Sequence, residues 1–204
     1  MKKKKTQQKK FVVGLTGGVA TGKTTIAYLF KQFGAHVICC DQVAHKALRK
    51  KSPSYRAIVK QFGKGILDTH KKISRKKLAS VIFNNKKKRK DLEAIIHPFV
   101  FQKIFESIKK AKGILIIDIP LLFETRFQKH VECIVVVSCT FGEQIKRLMI
   151  RDNLLRCDAV KRIKTQLPLA KKRKMADWVI DNSSVRNAIY ETKKMWDTIQ
   201  TITK

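Results

Sequence analysis

The sequence predicts a three-layer α/β fold, on two observations: short, nearly continuous apolar runs that alternate with amphipathic helical segments, and a Gly-rich turn set between the first run and the first helix. Continuous rather than alternating apolar runs mark strands covered on both faces, the habit of a parallel sheet. At 204 residues the chain suits one compact domain with room for insertions and can bury a substantial core.

In chain order, Phe11–Leu15 is the first strand, a short β-rich run. Lys23–Phe33 follows as a helix because Ile26, Leu29, Phe30 and Phe33 recur at helical spacing, and Gly34 closes it as a C-cap. His36–Cys40 reads as a second strand ending at Asp41. From Val43 to Lys112 the pattern is helical, at Ala44–Arg49, Tyr55–Phe62, Arg75–Phe83 and Lys87–Lys110, the last carrying His97 and Pro98. This stretch reads as a helical insertion between the second and third strands. Ile114–Ile117, ending in Asp118, and Cys133–Ser138 are two central parallel strands. Gly142–Asp152 and Arg156–Gln166 are helical, Trp178–Ile180 makes a fifth strand, and Val185–Ile202 a terminal helix. No internal repeat is visible.

Composition bounds the partners. No run reaches the roughly 18 consecutive apolar residues of a membrane-spanning helix. The apolar stretch after the basic MKKKKTQQKK is too short for a secretory signal. Five Cys, without a CxxC pair, fit free thiols in a reducing compartment, so a cytoplasmic location is expected and neither a disulfide framework nor a zinc site. The 46 Lys and Arg against 15 Asp and Glu give a formal charge of +31, which attracts polyanions. Nucleic acid, nucleotides and phosphorylated metabolites all qualify. The basic runs, KKKRK at 86–90 and KKRK at 171–174 among them, are scattered, as on a Lys-rich solvated surface. Residues 1–10 are expected to form a disordered tail.

Gly17, Gly18, Val19, Ala20, Thr21, Gly22, Lys23 and Thr24 satisfy GxxxxGK[ST]. Glycines let successive backbone N–H groups turn inward around phosphate oxygens. The helix that follows brings its positive dipole end to the same point. Lys23 adds a mobile cation for the β- and γ-phosphates, and Thr24 a hydroxyl for Mg²⁺. A strand before and a helix after are the surroundings the motif requires, so the turn is read as an ATP phosphate loop rather than a simple connection.

Such a loop does not identify the group that attacks the phosphate. Asp41, at the end of the second strand, lies where ligands of open α/β sheets collect. It could orient an acceptor hydroxyl and take its proton, or it could cap a helix starting near Val43. Asp118 ends an aliphatic strand, the place of a Mg²⁺-water ligand in many loop-containing enzymes, although a carboxylate there could also face solvent. Arg147 and Arg151 share a helix face at i, i+4, and two guanidinium groups on one face suit transferring phosphates. In a chain this basic, such a pair could equally be incidental.

Together these segments resemble dephospho-coenzyme A kinase. The resemblance covers residues 11 to about 195 and rests on VGLTGGVATGKTT at 13–25, CCDQVAH at 39–45, IIHP at 95–98, DIPLLFE at 118–124, IKRLMIRD at 145–152 and ADWVIDNSS at 176–184. It implies a P-loop NTPase fold with a five-stranded parallel sheet. It also implies a transferase that moves the ATP γ-phosphoryl group to the ribose 3′-hydroxyl of dephospho-coenzyme A, the last step of coenzyme A biosynthesis. Asp41 is then the expected general base. The core is expected at 11–42, 113–146 and 172–204, an acceptor-binding insertion that includes His97 at 43–112, and a lid at 147–171. Lys23, Arg147 and Arg151 would meet ATP phosphates, with Gly18 to Thr25 cradling them and Thr24 holding Mg²⁺. The loop of Asp181, Asn182 and Ser183 resembles the segment near the adenine; without the family it reads only as a turn.

The chain departs from the family pattern at Cys39, where an Asp-x-Asp pair usually offers its first carboxylate, and at Ser184, where Gly is common. A thiol is a poor Mg²⁺ ligand. ATP and dephospho-coenzyme A are thus the expected partners, and their phosphates give a positive cleft a purpose. A nucleoside or nucleotide kinase would share loop and sheet but differ in the insertion; IIHP and DIPLLFE favour the former. An ATP-dependent nucleic-acid-binding protein is not favoured. Aromatics are 8% of residues, and no strand face gathers them as base stacking requires.

Overall fold

A computed structural model of the chain describes residues 9–83 and 85–203. The expected basic tail lies outside them except for Lys9 and Lys10. The chain divides into two compact units, Met1–Ile38 with Lys110–Lys204, and Cys39–Lys109.

The first unit carries the sheet. Its strands are β1 (Phe11–Gly17), β2 (His36–Cys39), β3 (Ile114–Asp118), β4 (Cys133–Ser138) and β5 (Trp178–Asp181), in the spatial order β2-β3-β1-β4-β5. The sheet is parallel, with Leu15 opposite Asp118 on one side of β1 and opposite Val135 on the other. The strand order reverses at β1, so its C-terminal end is where an open α/β sheet leaves a crevice for ligands.

Both sheet faces are closed. Val13, Leu15, Ile116, Val137 and Ile180 pack with Ile26 and Phe30 of α1 (Lys23–Gln32) and with Met195, Trp196 and Ile199 of α9 (Val185–Thr203). The residues of opposite parity, Val12, Leu115, Ile117 and Val136, are equally buried. That is why these strands read as unbroken apolar runs. Gly34 sits just past the end of α1 with φ +106°, and its N–H donates to Lys31 O (3.1 Å).

Three more helices of this unit are α6 (Phe141–Asp152), α7 (Arg156–Ile163) and α8 (Leu169–Lys174). A capping box starts α6: Thr140 Oγ1 accepts from Glu143 N–H, and the Glu143 carboxylate accepts from Thr140 N–H. The helix expected over 156–166 stops at Ile163, and α8 was not anticipated. Pro168 is the N-cap of α8 and keeps the residue before it out of the α region, so the helix from Arg156 cannot run on through Leu167 into α8.

The second unit is helical, with α2 (Cys40–Ala47), α3 (Pro53–Phe62), α4 (Arg75–Phe83) and most of α5 (Lys86–Lys110). Ser52 caps α3 by accepting from Ser54 N–H, and Pro53 takes the first helical position. Ile58, Ile66, Ile73, Leu78 and Leu92 form a separate apolar core. α2 begins earlier than the sequence pattern implied. Asp41 therefore neither ends a strand nor caps a helix at Val43; it lies in the first turn of α2, which Cys39 precedes as N-cap.

Candidate functional site

The phosphate loop spans the turn from β1 into α1. Gly22 takes φ +87°, a left-handed conformation open to glycine, and Ala20 takes φ +59°. A Cβ on Gly22 would lie 2.0 Å from Asn182 Nδ2, so any other residue there would have to displace that amide. Inside the loop, Thr21 is fully buried and its hydroxyl donates to Gly18 O (3.0 Å).

Three side chains from outside hold two of the loop's carbonyls, Val19 O and Thr21 O. Asn182, buried in the β5–α9 connection, donates to Thr21 O (2.8 Å). Arg147, on α6, donates to the same carbonyl (3.3 Å) and to Asn182 O (2.7 Å), and Glu143 one turn earlier flanks it at 3.7 Å. Gln144, also on α6 and buried, donates to Val19 O (2.6 Å) and sits so close that a Cβ on Gly18 would be 2.5 Å from its Nε2. Sequence reasoning missed Gln144. Its signal was the capping box, which fixes where α6 starts and hence which residue turns toward the loop.

The Asn182 amide braces the loop. A small cavity of about 140 Å³ is lined instead by its neighbours Asp181 and Ser183, with Ser138, Cys139 and Arg173. A larger one of about 460 Å³ runs beside the loop, past Gly18, Val19, Cys139, Gln144, Leu167 and Arg173. Its size suits a small ligand.

Arg147 and Arg151 part company. Arg151 is held by Asp152 through two hydrogen bonds of 2.8 and 2.9 Å, and Asp152 also pairs with Arg162 at 2.6 Å. The Arg151 bond holds the Asp152 carboxyl below the ordinary carboxylate range. Only Arg147 of the two touches the phosphate loop among the described contacts.

The basic run at 171–174 is not wholly solvated either. Lys172 has no exposed surface and pairs with Glu124 at 2.9 Å. Burial pulls its pKa down, and the Glu124 carboxylate opposes that shift.

Asp41 and His97 belong to the second unit. Asp41 is exposed in the first turn of α2. His97 is half-buried on α5, its ring centroid 5.7 Å from that of Phe101. On the same unit Arg75 Nη1 lies 3.4 Å from His45 Nε2, which joins α4 to α2.

The oxygen donors that could hold Mg²⁺ are Thr24, exposed in the first turn of α1, and Asp118, buried at the C-terminal end of β3 beside β1. Asp118 does not face solvent as a bare strand-end carboxylate would. Among the described residues no three His, Cys, Asp or Glu gather as a metal cage. Mg²⁺ at phosphoryl-transfer sites takes one or two protein oxygens and completes its shell with phosphates and water, so a hydroxyl and a carboxylate fit. The Cys39 thiol does not.

Residues 11–187 match the family model for dephospho-CoA kinase. The dephospho-CoA kinase of Geobacillus kaustophilus is 38% identical over 92% of this chain and 98% of its own. Among solved structures, dephospho-CoA kinase from Campylobacter jejuni is 30% identical with a TM-score of 0.64, covering 93% of this chain and 97% of that one. A Thermus thermophilus protein superposes with a TM-score of 0.81 at 27% identity, covering 92% and 96%.

Proposed function

The chain belongs to the dephospho-CoA kinase family, an ATP-dependent kinase family, and from that premise we propose how its own residues carry out the transfer. The reaction is movement of the ATP γ-phosphoryl group to the 3′-hydroxyl of dephospho-coenzyme A. The bond from Pγ to the β,γ-bridging oxygen breaks and the bond from Pγ to the ribose O3′ forms. The hydroxyl proton goes to the Asp41 carboxylate, and ADP leaves. The observation that carries the reading is the braced phosphate loop: its Thr21 carbonyl is held by Asn182 and Arg147 and its Val19 carbonyl by Gln144, which supports a fixed loop backbone as the phosphate cradle.

In this mechanism most of the work is positioning and charge stabilisation. Gly18 to Thr25 bind the phosphates, Lys23 neutralises the β- and γ-oxygens, and Arg147 adds a planar cation that meets charge developing on the transferred group. Arg151 reaches the phosphates only by exchanging Asp152 for them. Thr24 and Asp118 would hold Mg²⁺, which would supply charge neutralisation at the phosphates. The helical unit with His97 receives the acceptor, and residues 147–171 close over ATP. A cytoplasmic location fits free thiols and the absence, among described residues, of any helix long and apolar enough to cross a membrane.

The test is ADP release with dephospho-coenzyme A, nucleoside monophosphates and single-stranded DNA offered separately. Turnover is expected only with the first, and turnover only with either of the others would overturn the acceptor. Asp41→Asn is expected to lose transfer while retaining ATP affinity; near-normal kcat in that variant removes Asp41 as the base. Lys23→Ala is expected to lose kcat by two orders of magnitude or more, roughly the cost of removing one transition-state donor.

A further inference from the structure

Lys172 lies where three segments of the sheet-bearing unit converge. Its Nζ donates to Pro120 O after β3 (3.0 Å), approaches Gly17 O at the end of β1 (3.5 Å), and pairs with Glu124 Oε1 (2.9 Å). The same carboxylate oxygen accepts from Leu167 N–H in the α7–α8 connection (3.1 Å). Gly17 opens the phosphate loop, so the buried Lys172 ammonium, paired with a partly exposed Glu124 carboxylate, links the loop's first carbonyl to the connection that lines the 460 Å³ cavity.

Stability gives little reason for this arrangement. Desolvating an ammonium costs several kcal/mol, and apolar residues of the same volume often replace a buried pair at no loss. A chain with 46 Lys and Arg has ample cations at its surface, yet this one is enclosed behind the phosphate site. Lys23 is near enough for its charge to act on Lys172.

We propose that Lys172 is a positioning residue for phosphoryl transfer, holding Gly17 and, through Glu124, the 164–168 connection in one register so that the phosphate loop and the segment beside it order together. It acts through the loop backbone and touches no reacting atom. The proposal rests on the loop being the ATP site, as assigned above.

The test uses the full chain with K172M, E124Q and the double variant. Melting temperature, ATP affinity by calorimetry without acceptor, steady-state kinetics, and amide hydrogen exchange at 17–23 and 164–168 are measured for each. In the double variant the buried Lys172 charge and its Glu124 counter-charge are both gone, so no uncompensated charge is left behind and the melting temperature is expected to return close to wild type. ATP affinity is nevertheless expected to stay about tenfold weaker and kcat/KM for ATP about a hundredfold lower, the scale of a misplaced reacting group, with KM for dephospho-coenzyme A within about twofold. A purely structural pair would recover activity with stability, and that outcome overturns the proposal. If K172M does not fold, E124Q carries the test: exchange is expected to quicken at both segments, and quickening at 164–168 alone refutes the coupling. Affinity and exchange are read without acceptor, so a failure here is distinct from a failure of the acceptor assignment, which wild-type turnover decides.

Discussion

Gly22→Ala offers a direct measure of how tightly the phosphate loop is braced. Placing a Cβ at φ +87° costs about 1–2 kcal/mol for an L-residue in the left-handed region. That Cβ would also stand 2.0 Å from Asn182 Nδ2, an atom now donating to Thr21 O, so the amide must swing away and lose its bond. A buried amide left unsatisfied adds about 1–3 kcal/mol. The sum, roughly 2–5 kcal/mol, corresponds to a fall of about 5–15 °C in melting temperature for a chain of this length. Calorimetric unfolding and ATP affinity should be read in G22A, N182A and the double variant. In the N182A background the collision is absent and only the backbone cost remains. The cycle is therefore expected to show a coupling of about 1–3 kcal/mol, against the few tenths of kcal/mol of independent sites. ATP affinity should fall at least about tenfold in G22A and partly recover in the double variant. Equal costs of G22A in both backgrounds would refute the argument that Asn182 and Gly22 share one space.

Three further outcomes are expected. R147A should lower kcat/KM for ATP by about a hundredfold, whereas R151A, whose guanidinium is occupied by Asp152, should cost under about tenfold; steady-state kinetics showing the reverse order would remove the distinction drawn between them. Q144A should destabilise by about 1–3 kcal/mol in denaturant unfolding and raise KM for ATP, since it strips the buried donor from Val19 O. Burial raises the Cys133 and Cys139 thiols from 9.0 to about 11, so mass-spectrometric alkylation mapping at pH 8 should find exposed Cys157 modified well before either. Because these two pKa values are raised in the fold, their stabilising contribution is complete below pH 9.0 and fades as the pH rises through about 11; a C133A/C139A variant should therefore show a shallower alkaline loss of melting temperature.

Much of the first unit was legible because local chemistry and burial point the same way. The runs at 11–15, 114–117 and 133–138 are apolar on both faces, which only a covered parallel sheet explains, and GGVATGKT requires its turn between strand and helix. The beginning of α2 was misread because Asp41, a good capping residue, pointed to a start near Val43, whereas the boundary is set by where β2 leaves the sheet and Cys39 becomes the N-cap. In α8 the Lys-rich run masked a helix, since charge density suggested solvent along its whole length.

The sequence alone determined the phosphate loop, the order of strands and helices, and the family, because these rest on residue types at short fixed spacings. Tertiary structure alone decided which side chains serve the loop. Arg147 and Arg151 look interchangeable in sequence, yet only the former turns to Thr21, and Asn182 and Gln144 arrive from segments more than 120 residues away. Lys172, one basic residue in a run of four, became distinct only through Gly17, Pro120 and Glu124. Spacing along the chain records which residues share a helix face. Which carbonyl a buried donor meets depends on how distant elements pack, and that is set by the whole core at once.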